Sequence, residues 1–135
     1  MRYYIAYKFT GSDIKILKNN LDIISNKIKE TGNDIFIFFR DIQNRGNIEI
    51  SINDIVNIDL KELKNSEGFF AFVDNEDKSE GLLIEAGYAK ALNKKFILAI
   101  KKGIDLRILR TIADEIIEFS DIKDLEVKIE KLFSK

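Results

Sequence analysis

Two short apolar runs constrain the fold of this chain more than any other feature. GFFAFV fills Gly68–Val73 and FILAI fills Phe96–Ile100, and no polar side chain interrupts either run. A strand with one face in water alternates apolar and polar side chains, whereas a strand covered on both faces does not. The two runs therefore predict central strands of a parallel sheet with helices on both faces.

Apolar runs of strand length alternate with longer amphipathic stretches along the rest of the chain. Three more strands are predicted, at Tyr3–Tyr7, Ile35–Phe39 and Ile116–Phe119. Helices are predicted between them, at Ser12–Glu30, Ser51–Asn65, residues 80–92, Leu106–Ala113 and Ile122–Phe133. This order predicts an α/β fold, and five strands favour a flavodoxin-like doubly wound parallel sheet of order 2-1-3-4-5. Without a repeat or linker, residues 1–135 are predicted to form a single domain.

The composition excludes several classes of function. Cysteine and histidine are both absent, which removes thiol nucleophiles, imidazole bases and the usual zinc sites. Any acid–base chemistry must use Asp, Glu, Tyr or Lys, although a carboxylate site for a hard cation remains open. No metal site and no cofactor is predicted.

The charge and the hydropathy limit the partners. The net charge is −1 and the lysines are spread among acidic residues, unlike the basic surface of a nucleic-acid-binding protein. No apolar run approaches the ~20 residues that span a bilayer, and the N-terminal MRYYIAYKF is too short and too polar for a signal peptide. A soluble, cytoplasmic protein without nucleic-acid or membrane partners is expected.

One carboxylate stands on the wrong side of a predicted helix. In SEGLLIEAGYAKA and the leucine that follows it, residues 79–92, Ala86, Ala89 and Leu92 fall within roughly 80° of Leu82 on a helical wheel, and Glu85 lies inside that arc. Burial of an unpaired carboxylate costs several kcal/mol. Either this arc is open at the surface, or Glu85 lines a cavity.

The predicted fold places Glu85 near a ligand. Doubly wound sheets bind ligands beyond the carboxyl ends of their strands, at the switch between strands 1 and 3. That rule selects Tyr7–Ser12, the loop after Phe39, and Asp74–Glu85. The odd glutamate, predicted to lie in the first turn of its helix, falls in the third of these segments.

Three segments resemble a known family. Tyr4–Ala6 (YIA) lies on the first strand, Asp59–Glu67 (DLKELKNSE) on the helix before the third strand, and Gly81–Ala89 (GLLIEAGYA) on the helix after it. Together they are similar to the nucleoside 2-deoxyribosyltransferase family, which includes nucleotide N-glycosidases. The resemblance covers about the first hundred residues. It implies a nucleoside or nucleotide as the small-molecule substrate and a homodimer or larger homo-oligomer.

By this resemblance, Glu85 is the nucleophile that attacks the anomeric carbon and forms a covalent glycosyl-enzyme. A carboxylate suits this role because the transition state is oxocarbenium-like and cationic. The free N–H groups and dipole of a first helical turn are expected to keep Glu85 ionised. The competing interpretation is that Glu85 only serves the N-terminus of the helix.

The same resemblance assigns two catalytic partners. Asp59 handles the leaving base as a proton donor or hydrogen-bond partner; otherwise it is a solvated helix residue. Tyr4 orients Glu85 through its hydroxyl; otherwise it is a core aromatic. Tyr3 and Tyr4 point to opposite faces of the sheet, so at most one of them reaches the site, and Tyr7 is a rival on the same strand.

Ser79 departs from the transferase pattern. Family members that act on free nucleosides have an aspartate six residues before the nucleophile, at the 5′-hydroxyl of the sugar. Serine at this position resembles the N-glycosidases of nucleoside 5′-monophosphates, because a hydroxyl donates to a phosphate that aspartate repels. Gly81 and Lys8 are predicted to bind substrate beside Ser79. The alternative for Ser79 is an N-cap, and the two roles can coexist.

Aromatic and polar residues at two strand ends are predicted to bind the base. Phe9 and Phe39 could sandwich a nucleobase, although phenylalanine at a strand end is commonly a core residue. The polar loop that begins at Asp41 and runs to Gly46 is expected to close over the site and read the base.

Three other functions fit the predicted fold. A phosphoacceptor receiver domain needs an acidic pair after the first strand, where this chain has Lys8-Phe-Thr-Gly. A flavodoxin binds FMN through a Ser/Thr-rich loop, which Thr10-Gly-Ser12 matches weakly. A non-catalytic nucleotide-binding sensor would retain the pocket without turnover, and only an activity assay separates it from the enzyme.

Overall fold

A computed structural model describes residues 1–8, 11–41 and 50–134, and only the backbone of Arg40 and Asp41. Five strands and six helices follow one another in these residues. In chain order they are β1 (Arg2–Tyr7), α1 (Ile14–Glu30), β2 (Asp34–Phe36), α2 (Phe38–Asp41), α3 (Ile52–Lys64), β3 (Gly68–Val73), α4 (Glu80–Ala91), β4 (Lys95–Lys101), α5 (Arg107–Ile112), β5 (Glu115–Phe119) and α6 (Ile122–Phe133).

The sheet confirms the predicted topology. Its order is β2-β1-β3-β4-β5, and every pair of neighbouring strands is parallel. All six residues of β3 are buried, as expected for a central strand covered on both faces. The order places β1 and β3 side by side, so the loops that follow them meet at the carboxyl edge of the sheet.

Alternation along β1 divides the core into two halves. Tyr3 and Ile5 face a cluster that includes the apolar stripes of α1 and α6. Tyr4 and Ala6 face the other cluster, which includes residues of α3, α4 and α5. Gly68 allows the two central strands to pack around Tyr3, because a Cβ at this position would lie 2.3 Å from the tyrosine ring.

Side-chain caps fix the starts of the long helices. Ser51 accepts a hydrogen bond from the amide of Asp54 at 3.1 Å, so Ser51 is the N-cap of α3. Asp13 and Asp121 cap α1 and α6 in the same way. The longest helix of the described residues, α1, has 17 residues. None of the described helices is both long and apolar enough to cross a membrane.

The second strand is shorter than predicted. The sequence predicted a strand over Ile35–Phe39, but β2 ends at Phe36 and α2 begins at Phe38. An unbroken apolar run does not distinguish a buried strand from a buried helical turn. Here the turn sends Phe38 into the core on one face of the sheet and Phe39 into the core on the other. Most of the loop predicted after them, residues 42–49, lies outside the described residues.

Candidate active site

A ladder of aromatic rings crosses the sheet face beneath α3 and α4. The ring of Tyr4 stacks between Phe36, with centroids 5.6 Å apart, and Phe69, at 6.0 Å. Phe96 continues the ladder, edge-on to Phe69 at 4.8 Å. These residues lie opposite one another in the strand register. Tyr4 is only 2% exposed, so the ladder holds its hydroxyl at a fixed point.

That hydroxyl lies beside two carboxyl groups. It donates a hydrogen bond to Oε2 of Glu85, and its hydrogen bonding also lowers the pKa of Asp59. A phenol has only one proton to donate, so Tyr4 serves one carboxylate at a time. Oδ1 of Asp59 is buried and has no hydrogen-bond partner among the described residues. Since an unpaired buried oxygen is costly, Asp59 is ready to take a proton or a ligand donor.

Glu85 reaches this point from the second turn of α4. It is the sixth residue of a helix that begins at Glu80, so the prediction of a first-turn position is wrong. The helix dipole acts mainly within the first turn and gives Glu85 little help. Burial raises the pKa of Glu85 to about 7, while the hydrogen bond from Tyr4 lowers it and nearby Asp59 raises it. The expectation that the helix N-terminus keeps Glu85 ionised is therefore also wrong.

Asp59 lies on α3 and lines the same cavity as Glu85. Burial raises its pKa to about 6, against the lowering effect of the Tyr4 hydrogen bond. Because both pKa values lie close to neutrality, one of the two carboxyl groups can be protonated while the other is ionised. Pairs of this kind suit general acid and nucleophile roles.

A cavity of about 330 Å³ opens above these three groups. This volume lies at the lower end of the range for small-molecule sites. Its floor contains Tyr4, Asp59 and Glu85. Its walls are largely apolar, and they include Phe38, Ile55, Val56, Leu60, Leu82 and Ile84. Of these wall residues, only Leu82 stood out in the sequence, as part of the helix face that contains Glu85.

Ser79 and Gly81 line the same cavity at the start of α4. Ser79 is the N-cap of the helix, and its hydroxyl oxygen accepts from the amide of Leu82 at 3.3 Å. The N-cap interpretation is therefore confirmed. The hydroxyl proton makes no hydrogen bond to another described residue, so a substrate role for Ser79 stays a prediction.

Lys8 is buried at 1% exposure beneath the loop that follows β3. Its ammonium donates to the backbone oxygen of Asn75 at 2.9 Å and to Oδ1 of the same residue at 2.7 Å. Burial lowers the pKa of Lys8, and nearby Asp77 and Asp74 raise it. The structure gives Lys8 a role in joining the loops after β1 and β3, and its role in substrate binding stays a prediction.

The residues predicted to bind the base are separated. Phe39 packs in the core on the α1 side, with its ring 6.1 Å from that of Tyr7, whereas its neighbour Phe38 lines the cavity. Phe9 lies outside the described residues, and so does the side chain of Asp41. Tyr7 also lines the cavity, and its pKa is raised by burial, then by Asp59 and Glu85.

A metal centre finds no support in the described residues. In residues 1–8, 11–41 and 50–134, no group of three or more acidic side chains is arranged to hold an ion. The geometry instead joins a fixed phenol to two carboxyl groups in a mostly apolar cavity. Such an arrangement can attack an electrophilic carbon and exchange a proton with a leaving group.

Three solved structures share this architecture over most of their length. A CMP N-glycosidase from Clostridium botulinum superposes with a TM-score of 0.73 at 20% identity, covering 98% of this chain and 99% of that one. The chain has the fold of the nucleoside 2-deoxyribosyltransferase family. A 2-deoxyribosyltransferase from Bacillus psychrosaccharolyticus gives a TM-score of 0.69 at 21% identity, covering 93% of this chain and 90% of that chain. A conserved protein from Enterococcus faecalis gives a TM-score of 0.69 at 16% identity, covering 98% of both chains.

No protein-family model and no curated protein sequence matches the chain. Identities of 16–21% establish the shared fold and leave the activity to be argued from the site.

Proposed function

We propose that this protein cleaves the N-glycosidic bond of 2′-deoxyribonucleosides or their 5′-monophosphates through a covalent glycosyl intermediate on Glu85. The deoxyribosyl group then passes to water or to a second nucleobase. The observation that carries the proposal is the convergence of Tyr4, Asp59 and Glu85 at the floor of one cavity. The names of two structures with this fold, a CMP N-glycosidase and a 2-deoxyribosyltransferase, describe the same kind of bond.

In the first step, a carboxylate oxygen of Glu85 attacks C1′ of the sugar. The C1′–O bond forms as the C1′–N bond breaks, and the electron pair of that bond leaves with the base. Asp59 supplies a proton to the departing base or hydrogen-bonds it through the Oδ1 atom that has no partner among the described residues. The pKa of about 6 for Asp59 makes a protonated fraction available near neutral pH.

In the second step, water or another base attacks C1′ from the opposite side and releases Glu85 as a carboxylate. The ionised Asp59 takes the proton that this nucleophile loses, which restores the starting state. Because the Tyr4 hydroxyl donates to Glu85, it stabilises the negative charge there before attack and again after release. The largely apolar cavity walls lower the polarity around these groups and strengthen their electrostatic interactions.

The direct experiment is incubation with a panel of ribo- and deoxyribonucleosides and their 5′-monophosphates, with release of free base followed by chromatography. A slow 2′-fluoro analogue should leave a covalent adduct on Glu85, detectable by peptide mass spectrometry. Adduct formation together with base release supports the enzyme. Tight binding of nucleotides without release of base from any compound would identify a nucleotide-binding sensor instead.

Ser79 separates the two substrate classes. Ser79→Asp would place a carboxylate beside a 5′-phosphate, and at about 4 Å with an effective dielectric near 20 each unit repulsion is roughly 4 kcal/mol before screening. The kcat/KM for a deoxynucleoside monophosphate should fall by orders of magnitude, while that for the free deoxynucleoside holds or rises. A wild-type preference for the free nucleoside would contradict the 5′-phosphate assignment.

A homo-oligomer and a cytoplasmic location belong to the same proposal and stay predictions. Exposed apolar side chains at the cavity mouth support an oligomer, since Val56 is 46% exposed and Ile84 is 57% exposed. Sedimentation velocity of the purified chain measures the oligomeric state directly.

A further inference from the structure

A second cavity of about 310 Å³ lies beside the candidate active site, between the starts of α4 and α5. It shares Ser79 and Leu82 with the first cavity, so the two spaces meet at the N-cap of α4. The mechanism above uses no residue that belongs to the second cavity alone. Its apolar wall consists of Leu82, Leu83, Leu106, Ile108 and Leu109.

The backbone on one side of this second cavity is strained. Leu106 has φ 33° and ψ 58°, a left-handed conformation that a leucine rarely adopts. It precedes α5 without a side-chain cap for the helix. Strained residues of this kind are common where the backbone shapes a ligand site. Ile108 is 75% exposed and Leu83 is 42% exposed, so part of the apolar wall faces solvent.

Cationic side chains outnumber carboxylates in the lining of the second cavity. Lys8, Lys78 and Arg107 line it together with the carboxylate of Asp77. The ammonium of Lys8 is held by Asn75, and Arg107 lies 3.7 Å from Asp105. The hydroxyl proton of Ser79, at the junction, makes no hydrogen bond to another described residue. A ligand that crosses this junction therefore contacts a hydroxyl donor, the side chains of Lys78 and Arg107, and an apolar wall.

The proposed function gives this ligand a direction. Ser79 lies six residues before Glu85, about 9 Å along the axis of α4, and it lines both cavities. A sugar with C1′ over Glu85 and its 5′ end toward Ser79 would have a 5′-phosphate where the two cavities meet.

We propose that the second cavity is a subsite for an apolar group esterified to the 5′-phosphate of the substrate, so that the substrate class includes nucleoside 5′-phosphodiesters. This inference rests on the proposed function for the orientation of the substrate. The phosphate lies at Ser79 and the apolar substituent packs against the wall that Leu83, Leu106 and Ile108 form.

Calorimetry with n-hexyl phosphate tests the subsite without requiring turnover. Inorganic phosphate is the matched probe, since it lacks the alkyl chain. Burial of even part of the chain should make n-hexyl phosphate bind at least about tenfold more tightly than phosphate. Equal affinity for the two probes would overturn the proposal.

Two variants locate the binding. Ile108→Asp places a charge on the exposed part of the wall and should weaken n-hexyl phosphate binding about tenfold or more. Val127→Asp is the matched control, because Val127 is 64% exposed on α6, across the sheet, and should bind like the wild type. Equal losses in both variants contradict the assignment. The assignment is also contradicted if the wild type is an oligomer and Ile108→Asp dissociates it. In that case a second copy of the chain covers the apolar wall.

Glu85→Gln separates the subsite from the reaction. This variant should lose turnover yet bind n-hexyl phosphate like the wild type. If no nucleotide is cleaved by the wild type while n-hexyl phosphate still binds and responds to Ile108→Asp, the proposed reaction fails and the subsite stands. If cleavage occurs but kcat/KM is the same for a 5′-monophosphate and its hexyl ester, the subsite fails and the reaction stands.

Discussion

The two faces of the sheet use their helices differently. On one face, α1 buries five residues in a regular stripe: Leu17, Leu21, Ile24, Ser25 and Ile28. On the other face, α3 has one fully buried residue, Leu63, and α4 directs small side chains inward at Ala86 and Ala89. The first arrangement closes a core, and the second leaves room for a cavity. The face with the less complete packing also holds Asp59 and Glu85, the two carboxyl groups whose pKa values are raised.

This contrast indicates that the α1 face mainly stabilises the fold, whereas the α3–α4 face holds the candidate active site. A buried carboxylate lowers the free energy of unfolding, whereas an apolar side chain at the same position would raise it. Variants on the α1 face should therefore change stability alone, whereas variants on the α3–α4 face should change activity at little cost in stability.

The largest effect is expected for Glu85→Gln. The amide keeps the shape of the side chain and can still accept from Tyr4, but it cannot form the glycosyl ester. Turnover should fall by at least about a thousandfold, roughly 4 kcal/mol at the barrier. The rate of base release checks the loss, and circular dichroism checks that the fold survives. Retention of more than about a tenth of the wild-type rate would exclude Glu85 as the nucleophile.

The opposite result is expected for Leu21→Ala on α1. Leu21 is fully buried, and its truncation should lower the free energy of unfolding by about 2–5 kcal/mol. At a temperature where the variant remains folded, kcat/KM should match the wild type. Urea denaturation measures the stability, and the same base-release assay measures the activity.

Leu60→Ala on α3 is the matched control for Leu21→Ala. Leu60 is half-buried and lines the first cavity, so the same truncation should cost less stability and raise KM. If Leu21→Ala also raised KM, the two faces would not be separable in this way.

The contrast between the faces also marks what the sequence could predict. The parallel sheet covered on both faces followed from the apolar runs of β3 and β4 and from the alternation of strands with helices, and the strand order followed from the number of strands. The end of β2 could not be predicted, because a helical turn places Phe38 in the core on one face of the sheet and Phe39 in the core on the other. Local pattern does not reveal which cores an apolar run will reach.

The candidate site was predictable to a similar extent. An inward-facing carboxylate on a helical wheel singled out Glu85, and strand alternation limited the choice between Tyr3 and Tyr4 without deciding it. The apolar wall depends on how α3 packs against α4, so Val56 was not predicted. The burial of Lys8 depends on a contact with Asn75, 67 positions away, which no local pattern encodes.

The pH dependence of stability sharpens the comparison. Burial raises the pKa of Glu85 from 4.5 to about 7, so the folded state holds the proton more tightly than the unfolded state. The resulting stabilisation is fully present below the unfolded pKa and is lost as the pH rises through about 7, which amounts to about 3 kcal/mol. Glu85→Gln should remove this loss, so the variant should be more stable than the wild type at pH 8.

Denaturation at pH 5 and pH 8 measures this difference. Glu80→Gln is the control, since Glu80 is exposed in the first turn of the same helix and should keep the wild-type dependence on pH. If the stability of Glu85→Gln falls between pH 5 and pH 8 as much as that of the wild type, the carboxyl group whose raised pKa causes the loss is not Glu85.

The smallest effect is expected for Tyr4→Phe, which tests the link between the aromatic ladder and the nucleophile. The ring keeps its stacking with Phe36 and Phe69, but the hydrogen bond that lowers the pKa of Glu85 is lost. The pKa of Glu85 should rise, so less of the nucleophile is ionised at neutral pH. Turnover should fall about tenfold near pH 7 and recover in part at higher pH.

Tyr3→Phe removes the same hydroxyl group on the other face of the sheet and is the matched control. Tyr3 is as buried as Tyr4 but packs with the α1 side of the core. Its loss should leave the pH profile of kcat/KM unchanged. A Tyr4→Phe profile that keeps the wild-type midpoint at a lower rate would mean that Tyr4 positions the substrate and does not tune Glu85. An upward shift in Tyr4→Phe alone would show that the ladder places a proton donor, because the two variants remove the same atom from opposite faces of one strand.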